Sequence, residues 1–391
     1  MKKVIATEKR PIKLWLNDIE EGALEQAKNM ANLPFTYKHV SIMPDAHQGY
    51  GMPIGGVLAT KGVVIPNAVG VDIGCGMCSM KTTIKDISTS DLIKIRNLII
   101  ERIPTGFNHQ QQPQEDWTYN SDLRNDSCPI VRQEHKKSLY QLGTLGGGNH
   151  FIEIQKGSDG YVWVMIHSGS RNMGHKVATH YNKLAVKLNS LWESSIPKGY
   201  ELAFLPIESK EARSYMTEMN LCVDFALANR RHMMGVVGDC FVDVLPSTLF
   251  IAFDGNTITN IAHNYAKWEN HYGTNVVIHR KGATSAREGE IGIIPGSQGS
   301  SSFIVKGLGN KESFMSCSHG AGRQMGRKQA IRELNFEDEM KQMGDVIHGM
   351  ESSADLDEAT GAYKDINEVM DNQSDLVEIL VELKPLAVIK G

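Results

Sequence analysis

The chain lacks a long apolar run, a basic charge balance and a cysteine framework, and each absence excludes a class of protein. No stretch approaches the roughly 18 consecutive apolar residues that cross a bilayer, so no membrane span is expected. The N-terminus, MKKVIATEKRPIKLWLND, opens with two lysines but never reaches the apolar segment of a secretory signal. A soluble, cytoplasmic protein is the expectation. The six cysteines (75, 78, 128, 222, 240, 317) show no disulfide spacing, and 391 residues build a core without covalent staples, so reduced thiols are expected. A net charge of −4 argues against a generally basic nucleic-acid coat and leaves room for a local basic groove. There is no GxGxxG after a strand, no GxxxxGK followed by Ser or Thr, and no regular βαβ alternation, which argues against Rossmann and P-loop folds. The absence of an internal repeat removes solenoids and propellers.

What is present is a set of short apolar, β-branched runs bounded by Gly and Pro. Val63–Ile65, Val162–Ile166, Thr248–Phe253, Val276–Ile278 and Phe303–Val305 read as buried strands. Helices are expected over 171–194, over 321–334 and over 209–236, the last with Ser209 as N-cap. Tyr215, Met219, Cys222, Ala226 and Asn229 share one face of that helix and read as core. Residues 108–137, with a Gln run and NSDLRNDS, read as a polar excursion or lid. The candidate site residues run from 72 to 319 with no composition break, so a single α+β domain over 1–391 is expected.

Six segments each set a reactive residue in a glycine-rich frame: VGVDIGCGMC (69–78), LGTLGGGNHFIEI (142–154), VWVMIHSGSRNMG (162–174), IAHNYAKWENH (261–271), IIPGSQGSSSFIV (293–305) and SCSHGAGRQMGRK (316–328). Glycine loses more backbone freedom on folding than any other residue, so 37 glycines placed this way suggest backbone used for close approach to a ligand. Asp72 and Cys75, three apart, can turn toward one point. With the neutral imidazoles of His150, His167 and His263 they make a mixed hard and soft donor set suited to a divalent transition metal. One histidine beside glycine is more often structural, but three with a DxxC point jointly to a metal. Cys75 and Cys78 also form a CxxC. Its Gly-Met filling fits a thioredoxin-type motif poorly, and no second pair completes a zinc knuckle.

His319 reads as preceding a helix whose first turns carry Arg323 and Arg327 on one face, an anion-binding setting. PGSQGSSS (295–302) and GGGNH (146–150) read as further phosphate cradles. In that setting His319 could serve as a general base, a phosphate hydrogen-bond donor or a covalent nucleophile, and the local sequence leaves all three open. The basic clusters Arg124, Arg132, Lys136 and Lys137, then Arg230 and Arg231, then Arg280 and Lys281, each read alone as solvated faces. Together they could track a polyanion backbone.

These segments together resemble the RtcB family of RNA 3′-phosphate ligases, its bacterial members in particular, from MPDAHQGYGMPIGG (43–56) to the terminal VIKG (388–391). The resemblance implies an RtcB-type mixed α/β fold with two Mn²⁺ ions at one site. Carried over residue by residue, Cys75 would bridge the ions, Asp72 and His150 would complete one shell, and His167 and His263 the other. His319 would accept GMP. The positions implied to cradle guanine nucleotide are Asn149, His150, Phe151, Glu153, His263, Asn264, Pro295, Gly296, Ser297, Gln298, Ser302, His319, Gly320, Ala321, Gly322 and Lys390. Asp45 and His47 match the family's DxHQG segment without an assigned role.

The implied reaction uses GTP to activate an RNA 3′-phosphate, or a 2′,3′-cyclic phosphate once opened, as a 3′-pp-5′-G end. The 5′-hydroxyl of a second RNA then displaces GMP. Zn²⁺ out-competes Mn²⁺ for Cys and His ligands in the usual affinity order, so manganese is the family's implication alone. The competing expectation is a metal-dependent RNA cyclic-phosphate phosphodiesterase that never ligates and would not need His319. A third is a non-enzymatic RNA-binding factor. A monomer is expected, since no segment signals an oligomer.

Overall fold

A computed structural model of the chain describes residues 1–115, 117, 128–251 and 258–391. The apolar runs pair into two large sheets. The first holds six strands in the order Lys3–Ile5, Ile12–Leu14, Thr36–Tyr50, Met52–Thr60, Thr274–Lys281 and Asn264–His271. The second holds eight: Phe250–Ile251, Gly76–Thr82, Val162–Ser168, Phe151–Gly157, Val377–Lys390, Ser302–Gly307 and Ile291–Ile294, with Thr259–Ala262 also paired to Gly76–Thr82. Strand pairing within the second sheet is antiparallel throughout, and the first has one parallel pair, Ile12–Leu14 with Thr36–Tyr50. Antiparallel ladders need no βαβ crossover, so the fold is α+β and neither Rossmann nor P-loop.

The sheets share a core. Trp15, Met43, Val57 and Val276 of the first side meet Ile294, Phe303, Val305 and Val377 of the second. The helix Lys210–Val244 covers the other flank with Ser209 as its N-cap, its hydroxyl accepting from Ala212 N at 3.0 Å. Tyr215, Met219, Cys222, Ala226 and Asn229 are all buried on it, as the 3.6-residue period requires. The helix Arg171–Leu191 packs beside it, again as expected. All six cysteines are buried, and among the described residues no disulfide joins any two of them. Among the described residues no helix is long and apolar enough to cross a membrane.

Three expectations change. The strand expected over Thr248–Phe253 is formed by Phe250–Ile251, and residues 252 and 253 lie outside the described residues. Of the polar 108–137 stretch, helix Pro129–Gln141 takes the last part, and residues 116 and 118–127 lie outside the described residues. The helix expected over 321–334 is only Arg327–Glu333, with Gly326 as N-cap. Gly322 adopts φ +75°, and a Cβ there would meet the Asp45 carbonyl at 2.1 Å. Arg323 is drawn into an antiparallel bridge with Tyr363. Tertiary contact holds 321–326 out of the helix, so Arg323 and Arg327 do not share a helical face.

Candidate active site

The register of the second sheet brings the reactive residues together. Cys75 precedes Gly76–Thr82, His150 precedes Phe151–Gly157, His167 lies near the end of Val162–Ser168, and His263 separates Thr259–Ala262 from Asn264–His271. Gly76 pairs with Ser168 and with Ala262, and Phe151 pairs with His167. Neighbouring strands lie about 4.8 Å apart, so strand ends in register set their side chains side by side. Cys75 Sγ is 3.3 Å from His167 Nε2 and 3.5 Å from His150 Nε2. The donor atoms of Cys75, His167 and His263 all lie within 4.8 Å of one another. Cys78, three residues along the strand from Cys75, points to the opposite face and into the core, so the CxxC is not a paired unit.

Two imidazoles have their tautomer fixed. His150 Nδ1 donates to Leu145 O and His167 Nδ1 to Asn149 O, each at 2.9 Å, which leaves both Nε2 lone pairs aimed at the thiol. Burial lowers the pKa of His150 to about 3 and those of His167 and His263 well below the usual value, so all three rings are neutral. Among the described residues His263 Nδ1 is buried without a hydrogen-bond partner. A thiol, converging neutral imidazoles and an orphaned ring nitrogen are a donor set that fits a transition metal. Asp72 sits at the exposed rim of the same cavity, its carbonyl accepting from Cys75 N and from Asn264 Nδ2, both at 3.1 Å.

A group the sequence placed on a solvated face holds this cluster. Arg230 is fully buried. Its Nη1 donates to Gly74 O at 3.0 Å and Ser168 O at 2.8 Å, its Nη2 to Ile261 O at 3.4 Å, and its Nε to Asn260 Oδ1 at 2.7 Å. One guanidinium thus clamps the backbone next to Cys75, next to His167 and two residues before His263. Arg280 is likewise buried, paired with Glu269, and Lys281 donates to Tyr50 O and Asn67 O. Arg230, Arg280 and Lys281 therefore cannot track a polyanion, and Arg124 lies outside the described residues. The glycines of the site serve close approach of chain to chain: a Cβ on Gly76 would meet Ile261 O at 2.0 Å.

His319 follows the short strand Ser316–Ser318, and its ring centroid is 4.7 Å from that of His263. It does not cap a helix. Its ring Nδ1 donates to Asp45 Oδ2 at 2.6 Å and its backbone N–H to the same oxygen at 3.0 Å. Asp45 is fully buried, and its Oδ1 has no hydrogen-bond partner among the described residues. His47 is anchored through Nδ1 to Asp45 O at 3.0 Å, and burial lowers its pKa to about 4. With Nδ1 committed, His319 Nε2 carries the free lone pair.

A cavity of about 260 Å³ opens on these groups. Asn149, Phe151, Glu153, His263, Pro295, Gly296, Ser297, Gln298, His319, Gly320, Ala321, Gly322 and Lys390 all line it. His150 sits behind against Cys75, Asn264 braces the rim by accepting from Gly282 N at 2.7 Å, and Ser302 accepts from Gly296 N at 3.1 Å. Ser300 Oγ accepts from Ser297 N at 2.7 Å. The 295–302 loop therefore satisfies amides expected to form an open anion nest. Glu153 is buried, which raises its pKa to about 8. Glu358, not singled out from the sequence, is a hub: Arg323 lies 3.0 Å from it, Arg327 3.1 Å and Lys390 3.8 Å, and Tyr363 donates to it. Its only sequence signal is an acidic residue between motifs; Asp45 at least lay inside one.

A sequence model of the family described as tRNA-splicing ligase RtcB matches residues 26–391. The chain is 37% identical to an RNA-splicing ligase RtcB of Escherichia coli (strain K12), over 99% of both chains. It is 30% identical to a tRNA-splicing ligase RtcB of Thermococcus kodakarensis, over 95% of this chain and 92% of that one. Identity to the Nanoarchaeum equitans tRNA-splicing ligase RtcB is 31%, over 97% and 95%.

Proposed function

This chain belongs to the RtcB family, and we propose that it is a GTP- and Mn²⁺-dependent RNA ligase. It joins a 3′-phosphate or 2′,3′-cyclic phosphate end to a 5′-hydroxyl end. The observation that carries the reading is His319: Nδ1 held on Asp45 and Nε2 free, beside a metal-type cluster. A phosphodiesterase that never ligates would not need that pair as a nucleophile.

Cys75, Asp72, His150, His167 and His263 would hold two Mn²⁺ ions. Bound there, the ions supply charge neutralisation to phosphoryl oxygens. His319 Nε2 attacks the α-phosphorus of GTP, the P–O bond to pyrophosphate breaks, and a phosphoramidate forms. The Nδ1 proton stays on the ring, where the Asp45 carboxylate offsets the positive charge that develops. Asn149, Phe151, Glu153 and Lys390 line the cavity and would be the nucleotide contacts. GMP passes to the RNA 3′-phosphate, and the 5′-hydroxyl oxygen of the second strand then attacks that phosphorus and expels GMP. A cyclic phosphate is first opened by water to the 3′-phosphate.

The test is incubation with α-³²P-GTP and Mn²⁺ followed by a denaturing gel. An acid-labile, alkali-stable label that disappears in His319→Ala is expected. No label with metal loaded, alongside cyclic-phosphate opening that survives His319→Ala, would transfer the chain to the phosphodiesterase class.

A further inference from the structure

We propose that Phe107 is a stacking platform for an unpaired base of the RNA strand whose end occupies the active-site cavity; the inference rests on the ligase reading above. A singly exposed apolar residue is ordinary on a protein surface. Phe107 differs because its side chain is wholly exposed, at 101% of the reference value, while its backbone is pinned. Asn108 N donates to Thr105 O at 3.1 Å and closes a tight turn in which Gly106 takes φ +61°. Gly106 N donates to Gly146 O at 2.8 Å, and Arg171 Nη2 donates to Gly106 O at 3.1 Å. Leu145 N donates to Pro104 O at 2.9 Å. The ring is therefore presented to solvent on a fixed base, which removes most of the ordering cost of a contact.

The turn is tied to the loop that carries Asn149 and His150. Asn149 is three positions after Gly146, a span of at most about 11 Å. A second cavity of about 260 Å³ adjoins the first: it shares Gln298, Glu358 and Lys390 with the active-site cavity and is lined also by Thr105, two residues from the ring. Arg96 faces this groove, but so do Asp355 and Asp357. Mixed charge makes a poor phosphate track, so a strand passing here is read through base faces. An aromatic ring stacks on any base and is sequence-tolerant, which suits a ligase that must hold a single-stranded end.

The experiment measures fluorescence anisotropy of the full chain with a 3′-phosphorylated single-stranded oligoribonucleotide of about ten residues. Phe107→Ala should weaken Kd about tenfold, equally at low and high salt, with GMP labelling of His319 unchanged. Phe107→Trp should restore binding, its fluorescence quenched by the RNA. One abasic position in the oligoribonucleotide should reproduce the loss in wild type and cost nothing further in Phe107→Ala. Wild-type affinity in Phe107→Ala, a loss with the salt slope of a phosphate contact, or indifference to every abasic position would each overturn the proposal. Absence of the GMP adduct in wild type would instead sink the ligase reading, and the anisotropy series would still decide Phe107.

Discussion

A single carboxylate oxygen of Asp45 receives both the ring Nδ1–H of His319, at 2.6 Å, and its backbone N–H, at 3.0 Å. The pair fixes tautomer, ring plane and chain position together. Asp45→Asn keeps the shape and removes the charge, so label incorporation from α-³²P-GTP should fall by about a hundredfold or more, with the unfolding midpoint nearly unchanged. A wild-type labelling rate would show that the carboxylate does not support the nucleophile.

Metal loading should depend on the Cys75 thiol. Cobalt substitution gives a sulfur-to-metal charge-transfer band when a thiolate ligates, and Cys75→Ser should lose that band and bind metal at least ten times more weakly. Zn²⁺ should displace Mn²⁺ from the wild-type site. A retained band would remove Cys75 from the ligand set.

Arg230 spans the backbone beside three candidate ligand positions, so its effect should appear in metal affinity before it appears in nucleotide binding. Arg230→Lys keeps the charge but cannot reach three carbonyls at once. A 10- to 100-fold loss of metal affinity is expected by calorimetry, the range found when partners that orient ligands are removed. Metal affinity equal to wild type would reduce the clamp to ordinary packing.

Glu153 gives the fold a pH signature. Desolvation raises its pKa from 4.5 to about 8, against the opposing pull of Lys390 and Gln155. Between those values the folded chain keeps a proton that the unfolded chain has released. The contribution is full below about pH 4.5 and is lost as pH rises through about 8, a change on the order of a few kcal/mol. Urea unfolding from pH 5.5 to 8.5 should show wild type losing stability relative to Glu153→Gln, which carries no charge at any pH. Parallel curves would mean that Glu153 is ionised in the free protein.

The motifs were legible because each reactive residue and its glycines lie within a dozen positions. Their convergence was not, since it is made by strand register between distant segments. Asp45 acts on His319 across 274 positions, and no local pattern encodes that distance. Arg230 was a different kind of miss: it lies four residues after Ala226, so the helical period already put it on the buried face, and the expectation that arginine is solvated prevailed. The helix expected at 321–326 failed for a tertiary reason, the contact of Gly322 with the Asp45 carbonyl.

The strand Val377–Lys390 lies between Phe151–Gly157 and Ser302–Gly307, inside the eight-stranded sheet, yet follows both in the chain. Until it is made, its neighbours wait with open edges, the state in which chains most readily pair with the wrong partner. Synthesis therefore leaves a window in which Asp72, Cys75, His150, His167, His263 and His319 exist but the cavity wall carrying Lys390 does not. The Lys390 side of the cavity closes only when this strand pairs, and until then the two edges beside it are open to mispairing.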